Sequence, residues 1–257
     1  MGMDEIDRII QEVNGSMAIE GMPLTNEDKG RLIMSEKEAL KLIGETGFRE
    51  LFHKIVYIQP TEEVRNHLAK SIDVCAEDDG FLAYGYIDNQ AGFSFRIICS
   101  ANIKGNTLTY GKFHKESDYI IRRGYFNSCN FVAAEQFGIA ESDFDEYVQE
   151  YIQFINDCYK CSDEAEEMRK FTFLDPVRST DYPDDIQVIL YQKGMQPEQV
   201  WVKCYTYTDK ELFGVLLNEP NQDFGIHNSS IIGFTPMETA NGLLCVYTGR
   251  WLEKQSQ

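Results

Sequence analysis

The sequence predicts an α+β fold in three parts: a short helical head over residues 1–47, an α+β module over 48–175 and a mostly-β domain over 176–257. Three observations predict it. Apolar residues recur at helical spacing in the head, strand-like runs precede a helical stripe in the module, and strand-like runs dominate after Pro183. Strands followed by helices within one segment are typical of an α+β arrangement.

The composition is that of a folded and strongly acidic protein. Hydrophobic residues make up 43% of the 257 positions and aromatic residues 12%, which argues against a disordered chain. The formal net charge of −18 and the isoelectric point near 4.6 argue against binding to nucleic acid or to an anionic membrane. A protein partner with a basic surface fits this charge better.

Neither export nor membrane insertion is predicted, because the sequence has no cationic start followed by an apolar core and no run of 18 apolar residues. The seven cysteines are an odd number, are scattered along the chain and lie mostly in apolar runs. Such cysteines are typical of reduced thiols that act as small hydrophobic side chains. The sequence therefore predicts a cytoplasmic protein.

The first helix of the head carries an unusual face. Ile9, Val13, Ser16 and Glu20 follow one another at i, i+4, i+7 and i+11, so they share one side of the helix. Gly21 then ends the helix, since glycine tolerates a left-handed conformation. A carboxylate in the last turn opposes the helix dipole, which favours cations there. Glu20 is therefore a candidate for contact with a partner.

The motif Ser16-Met-Ala-Ile-Glu20-Gly21 resembles the inhibitory motif Ser/Thr-x-x-x-Glu-Gly/Asn of Fic-domain regulation. The longer run to Asp28 resembles the VbhA-type antitoxins, which silence Fic adenylyltransferases, enzymes that transfer AMP. The resemblance covers about the first 45 of 257 residues. One segment of that family looks shortened here, between Leu32 and Ser35.

The resemblance implies an inhibitor that acts in trans on a Fic-domain toxin. In that family the glutamate pairs with an arginine of the toxin's active site and keeps the ATP γ-phosphate from docking productively. By position, Glu20 would be the blocking carboxylate, Ser16 its companion on the helix face and Gly21 the end of the helix. The alternative interpretation is that Glu20 is a solvated acid and Ser16 a tolerated polar residue.

Two further helices complete the predicted head. Thr25 caps one of them, and Ser35 caps the other, which Gly44 ends. Gly44 and Gly47 mark the predicted border. The apolar stretch 48–58 leaves helix and strand open, and Thr61 caps a helix that runs to about Ser71.

The middle module combines a predicted antiparallel meander with helices. Glycine-containing turns separate three strand-like runs, which are 81–87, 93–103 and 107–113. A helical region is predicted from Ser117 to Gly138, followed by a helix that Ser142 caps and that carries an apolar stripe to Tyr159. Between Glu141 and Glu167 the sequence contains ten Asp or Glu residues and one lysine, a composition that is typical of a solvated surface.

The last part is predicted to be a β domain that begins after the irregular segment Pro176–Pro183. Its predicted strands are 186–192, 200–208, 211–217, 231–234 and 243–247. The runs Trp201–Lys203 and Gly214–Pro220 resemble an uncharacterised family of small bacterial β domains. That resemblance implies a curled sheet or partly open barrel and no activity, although such domains have been suspected as toxin-immunity modules. Trp201 is predicted to anchor the interior.

No catalytic, metal or cofactor site is predicted. Cys158 and Cys161 form a Cys-x-x-Cys pair, but the sequence has no second ligand pair at matching spacing. The four histidines lie in unrelated contexts, and the pairs Asp78-Asp79 and Asp184-Asp185 lie in turn-like segments where solvation is expected. The Fic catalytic signature is missing from the sequence, so inhibition would act on another chain.

The predicted function is therefore that of a non-catalytic binding protein, an antitoxin-like inhibitor of a Fic adenylyltransferase. The alternative is a toxin-immunity or other protein-interaction protein whose head is only structural. The sequence leaves the identity of the partner and the oligomeric state open.

Overall fold

The computed structural model describes residues 40–68, 78–111 and 119–252 of the chain. All of them belong to one compact unit, Ala39–Gln257. The candidate residues Ser16, Glu20 and Gly21 lie outside the described residues, together with the rest of the predicted head up to residue 39.

The first part of the unit consists, in its described residues, of a seven-stranded sheet and three α-helices. In chain order its elements are β1 (Lys41–Leu42), β2 (Ile55–Gln59), α1 (Glu62–Leu68), β3 (Gly80–Asp88), β4 (Gly92–Lys104), β5 (Thr107–Tyr110), β6 (Ile120–Arg122), β7 (Asn130–Ala133), α2 (Glu146–Cys158) and α3 (Asp163–Lys170). The strand order is β1-β7-β2-β3-β4-β5, and β6 also pairs with β4. All of these pairings are antiparallel.

The predicted meander is confirmed as β3, β4 and β5. Gly92 and Gly105 lie in its two turns with φ of 81° and 59°, a region that glycine enters at little cost. Both faces of β3 are buried. Phe81, Ala83 and Ile87 pack into one core, and the even-numbered residues between them pack against α2. This burial explains why 81–87 is a continuous apolar run rather than an alternating one.

The predicted helical region from Ser117 to Gly138 is wrong in its described part. It consists of β6, a 3-10 turn at Arg123–Phe126, β7 and a second 3-10 turn at Ala134–Phe137, which Gly138 ends with φ of 73°. Strand β7 lies between β1 and β2, so its backbone hydrogen bonds are made on both edges. Tertiary pairing of this kind overrides a local helical spacing.

The last predicted helix of the head is also wrong where the structure describes it. Lys41–Leu42 forms a strand against β7, and Ile43–Glu45 is a 3-10 turn. Ile43 is fully buried in the same core as Phe48. The described part of the predicted head, 40–47, therefore belongs to the sheet.

One helix of the module follows its predicted capping signal, one begins later than predicted, and one was not predicted. The Thr61 hydroxyl accepts a hydrogen bond from the Val64 amide at 3.3 Å, as predicted for α1. Helix α2 begins later than predicted, because Asp145 rather than Ser142 caps it. Helix α3, which Ser162 caps, was not predicted, since its composition is almost entirely polar.

The C-terminal part is a closed five-stranded barrel. Its strands are β8 (Asp185–Leu190), β9 (Glu198–Tyr207), β10 (Leu212–Leu216), β11 (Ile231–Thr239) and β12 (Gly242–Leu252), in the order β10-β11-β12-β8-β9. All five predicted strands are confirmed. A parallel pairing of β12 with β8 closes the sheet, where a curled sheet or partly open barrel was predicted.

Trp201 lies on the outside of the barrel, so its predicted interior position is wrong. Val200 and Val202 are buried with 1% and 0% of their surfaces exposed, whereas 38% of Trp201 is exposed. Successive side chains on a strand point to opposite faces. Once the two valines fill the narrow interior, the tryptophan between them points outward.

Buried arginines join the sheet to the barrel through the segment 168–184. Arg123, which is fully buried, donates to Ile43 O at 2.8 Å, to Thr46 O at 2.6 Å and to Thr180 O. Arg178 donates to Pro183 O at 2.7 Å. Thr46 O and Thr180 O gain a donor in the interior by the bonds from Arg123. Ile43 O also accepts from the Thr46 amide at 3.1 Å, so Arg123 is its second donor.

The carboxylate pairs predicted to be solvated take part in hydrogen bonds. Asp79 accepts from the Tyr57 hydroxyl at 2.7 Å, and Asp78 accepts from the side chain of Asn102. Asp184 receives two hydrogen bonds from Arg169, and its side chain is only 12% exposed. Solvation was therefore the wrong expectation for these three residues, because their partners lie far away in the sequence.

Candidate functional site

A cleft of about 510 Å³ lies where the sheet module meets helix α3. Its walls come from the turn 48–53, the end of β3, the C-terminal end of α2 with the three residues that follow it (159–161), and α3. The volume is within the range of small-molecule sites in proteins. We take this cleft as the candidate site of the described unit.

Aromatic rings form much of the cleft wall. The ring centroids of Phe52 and His53 are 3.8 Å apart with an interplanar angle of 26°, which is a stacked pair. Tyr86 and Tyr159 lie with their ring centroids 4.8 Å apart. The Tyr86 hydroxyl is buried beside that of Tyr159 but lacks a hydrogen bond of ordinary geometry among the described residues. The wall therefore offers flat apolar surface with polar tips.

His53 has a strained backbone that the neighbouring strand supports. Its φ is 54°, in the left-handed region that a residue with a β-carbon rarely enters. The His53 amide donates to Gly85 O at 2.8 Å, and the Gly85 amide donates to Lys54 O at 3.0 Å. A β-carbon at position 85 would lie 2.2 Å from Leu51 O, so only glycine permits this approach. Strain held in place this way is often found at binding and catalytic sites.

Two arginines of the cleft are held by carboxylates behind it. Arg169 forms a bidentate pair with Asp184, with distances of 2.8 and 2.7 Å. Arg49 forms a second bidentate pair with Asp175, at 2.6 and 2.9 Å. Bidentate pairing fixes the plane of a guanidinium group. The Arg169 guanidinium also lies 5.3 Å from the centre of the Phe52 ring, where a cation–π contact is favourable.

Other polar groups of the cleft have unused capacity for hydrogen bonds or ion pairs. Lys160 is exposed and has no hydrogen bond or ion pair with the described residues. Asn156 accepts from the Tyr84 hydroxyl at 2.7 Å through its carbonyl oxygen, which leaves its NH₂ group available as a donor. Glu166, which is also exposed, contributes a carboxylate to the same cleft.

Two ionisable groups of the cleft have shifted pKa values. Burial and the charge of Arg169 lower the pKa of His53, so its imidazole is neutral at pH 7. Burial raises the pKa of the Cys161 thiol, which keeps it protonated and weakly nucleophilic. In the described ranges no cluster of three or more His, Cys, Asp or Glu side chains could hold a metal ion.

The outer face of α2 is a second candidate surface. Tyr147, Tyr151 and Phe154 follow at i, i+4 and i+7, next to the stripe that packs on the sheet. Their ring centroids are 6.4 and 6.1 Å apart in sequence order. Phe154 is 58% exposed, and the exposed acids Glu146 and Glu150 lie on the same helix. We call Tyr147, Tyr151 and Phe154 the aromatic face of α2.

Comparison with known proteins gives no significant match. No protein-family model matches the chain, and neither a curated protein nor a solved structure resembles it at a significant level. Among the described helices, none combines the length and apolar character that a membrane crossing requires.

The sequence did not predict the cleft, because its residues come from distant segments. The predicted site residues Ser16, Glu20 and Gly21 lie outside the described residues, so the inhibitory motif stays a prediction. One local signal did exist in the cleft region. Phe52-His53 is an aromatic pair that directly precedes a buried strand, in the stretch whose secondary structure the sequence left open.

Proposed function

We propose that this chain is a non-catalytic, cytoplasmic binding protein that inhibits a Fic adenylyltransferase in trans through its N-terminal motif. Glu20 pairs with an arginine of the enzyme's nucleotide site, while Ser16 and Gly21 belong to the predicted helix end that presents it. The observation that carries this proposal is the motif Ser16-Met-Ala-Ile-Glu20-Gly21, which resembles the inhibitory motif of Fic-domain regulation.

Physical chemistry supports the role given to Glu20. A bidentate arginine–carboxylate pair is among the stronger polar contacts in proteins and fixes the geometry of both groups. A carboxylate at the C-terminal end of a helix gains nothing from the helix dipole, so its place is better explained by a partner. The protonated thiol of Cys161 is a weak nucleophile, which fits a binding role for the described unit.

The test is an adenylylation assay with the Fic protein encoded nearest to this gene. Full-length wild-type chain is expected to suppress AMP transfer, and Glu20→Gln is expected to weaken the suppression about 10- to 100-fold, the cost of losing one charge-assisted pair. Glu27→Gln is the matched control, because it removes the same charge seven residues away and outside the motif. Equal suppression by wild type and Glu20→Gln would refute the proposal.

The second candidate function is that of an immunity protein that binds a toxin through the described unit. The aromatic face of α2 favours it, because the exposed rings of Tyr147 and Phe154 beside carboxylates suit a partner surface rich in arginine. The net charge of −18 is complementary to such a basic partner.

This second function makes a different prediction. Phe154→Ser is expected to reduce protection against a toxin encoded beside this gene, measured as survival of cells that express both. Tyr191→Ser is the control, because Tyr191 is an equally exposed aromatic residue (63%) of the barrel and lies outside the aromatic face of α2. Full protection by Phe154→Ser would remove the support for this candidate.

A further inference from the structure

We propose that the cleft at His53 binds a planar aromatic molecule that carries one carboxylate-type negative charge. This inference concerns the described unit alone and does not depend on the N-terminal motif. The size of the cleft, about 510 Å³, admits a ligand of one or two rings. Its aromatic wall supplies the flat apolar surface on which such a ring can pack.

The charge of the ligand follows from the cations of the cleft. Arg49 already donates two hydrogen bonds to Asp175, and Arg169 donates two to Asp184. Lys170 forms an ion pair with Glu167 at 2.5 Å. Of the lysines and arginines that line the cleft, Lys160 is therefore the one without a counterion among the described residues. The Lys160 ammonium can pair with one negative charge on the ligand, while the Glu166 carboxylate of the same lining disfavours any further negative charge.

Hydrogen-bond donors at the cleft favour an acceptor such as a carboxylate. The Asn156 NH₂ group has no hydrogen bond with the described residues, and a neutral imidazole at His53 offers one further N–H. The Tyr86 hydroxyl adds a buried polar group without a partner of ordinary geometry. Buried polar groups without partners are rare, and a bound ligand is one explanation for them.

A doubly charged phosphate group fits the cleft less well. It would need a second uncompensated cation, whereas the described lining offers Lys160 and the opposing carboxylate of Glu166. The net charge of −18 on the whole chain repels a dianion more strongly than a monoanion. A ligand with one negative charge and a large apolar ring therefore suits the charges and the aromatic wall of the cleft better than a dianion.

The experiment is isothermal titration calorimetry of the full-length chain with 2-naphthoate at low ionic strength. The neutral 2-naphthamide has the same ring without the charge, and acetate has the charge without the ring. We expect 2-naphthoate to bind at a ratio of one and about tenfold more tightly than 2-naphthamide, because a charge-assisted hydrogen bond is lost in the amide. Acetate is expected to give no measurable heat of binding.

Two variants locate the charge contact. Lys160→Met is expected to weaken 2-naphthoate about tenfold and to leave 2-naphthamide unchanged. Lys193→Met is the matched control, since Lys193 is exposed in the loop between β8 and β9 and away from the cleft lining. In an NMR titration, the imidazole signals of His53 are expected to shift on addition of 2-naphthoate.

Three results would each overturn the proposal: no binding of 2-naphthoate, equal affinity for the acid and the amide, or unchanged affinity in Lys160→Met. Since Lys160 is an exposed side chain without partners in the described residues, its substitution is not expected to disturb folding. A failure here would leave the adenylylation assay unaffected, so the two proposals can fail separately.

Discussion

Asp184 and Asp185 are neighbours in the sequence, but the charge of Asp184 stabilises the folded protein and the charge of Asp185 destabilises it. Asp184 receives both hydrogen bonds of the Arg169 pair. Asp185 accepts no side-chain hydrogen bond from the described residues, and burial raises its pKa to about 6, with the charge of Asp184 adding to the effect and Lys203 opposing it. The ionised form of Asp185 is therefore unfavourable in the folded protein at pH 7.

Asp185→Asn is expected to raise the free energy of unfolding by about 1 kcal/mol at pH 7.5, since it removes a half-buried charge without a partner. The gain should vanish below pH 4, where the carboxyl is protonated in both states. Between pH 4 and 6 the native wild type binds more protons than the unfolded chain, so its stability falls as pH rises, a fall that Asp185→Asn lacks. Urea denaturation at several pH values measures this.

The neighbouring substitution supplies the control. Asp184→Asn removes the charge that Arg169 needs, and the side chain of Arg169 is only 9% exposed. It is expected to lower the free energy of unfolding by about 2 kcal/mol at pH 7.5, because one buried charge loses its counterion. Equal effects of the two substitutions would contradict the roles assigned to them.

Single residues show where sequence reasoning reaches its limit. The caps at Thr61 and the glycines of the meander turns could be predicted, because their causes lie within four residues. The outward position of Trp201 depends on which face of β9 the barrel encloses, a choice made by strands β8 and β10. The strained φ of His53 depends on Gly85, which lies on another strand.

At the scale of elements, the pairing of strands explains both the success and the failure of prediction. The five barrel strands and the meander were predicted from alternation and turns, which are local signals. Strands β6 and β7 were assigned to a helix, because two short runs of β-branched and aromatic residues carry no alternation of their own. Their strand form depends on β4, β1 and β2, with which they pair.

The junction between these elements depends on Arg123. Arg123→Met is expected to lower the free energy of unfolding by about 3 kcal/mol, because Thr46 O and Thr180 O lose their donor in a buried site and Ile43 O loses its second donor. Chemical denaturation of the purified variant measures the loss.

Arg122→Met is the matched control for this prediction. Arg122 is the adjacent arginine, its side chain is 50% exposed, and it pairs with Asp88 at 3.3 Å. Ion pairs with an exposed partner contribute little to stability, so the free energy of unfolding is expected to change by at most about 1 kcal/mol. A larger loss from Arg122→Met than from Arg123→Met would show that the junction is held in another way.

At the scale of the whole molecule, the described chain is one compact unit that begins near residue 39 rather than at residue 48. Residues 41–45 contribute a strand and a 3-10 turn to the sheet, so a deletion that reached residue 47 would damage the core around Ile43. The sequence placed the border later, because Ser35 and Gly44 carry ordinary helix-capping signals. Only the pairing with β7 reveals that the segment belongs to the sheet.

The most direct test of the account is therefore a comparison of the full-length chain with a chain that begins at Ala39, both assayed for suppression of AMP transfer by the Fic protein encoded nearest to this gene. The shortened chain is predicted to lose suppression while it keeps a cooperative unfolding transition, since its sheet and barrel remain intact. Undiminished suppression by the folded, shortened chain would contradict the account and place the activity in the described unit.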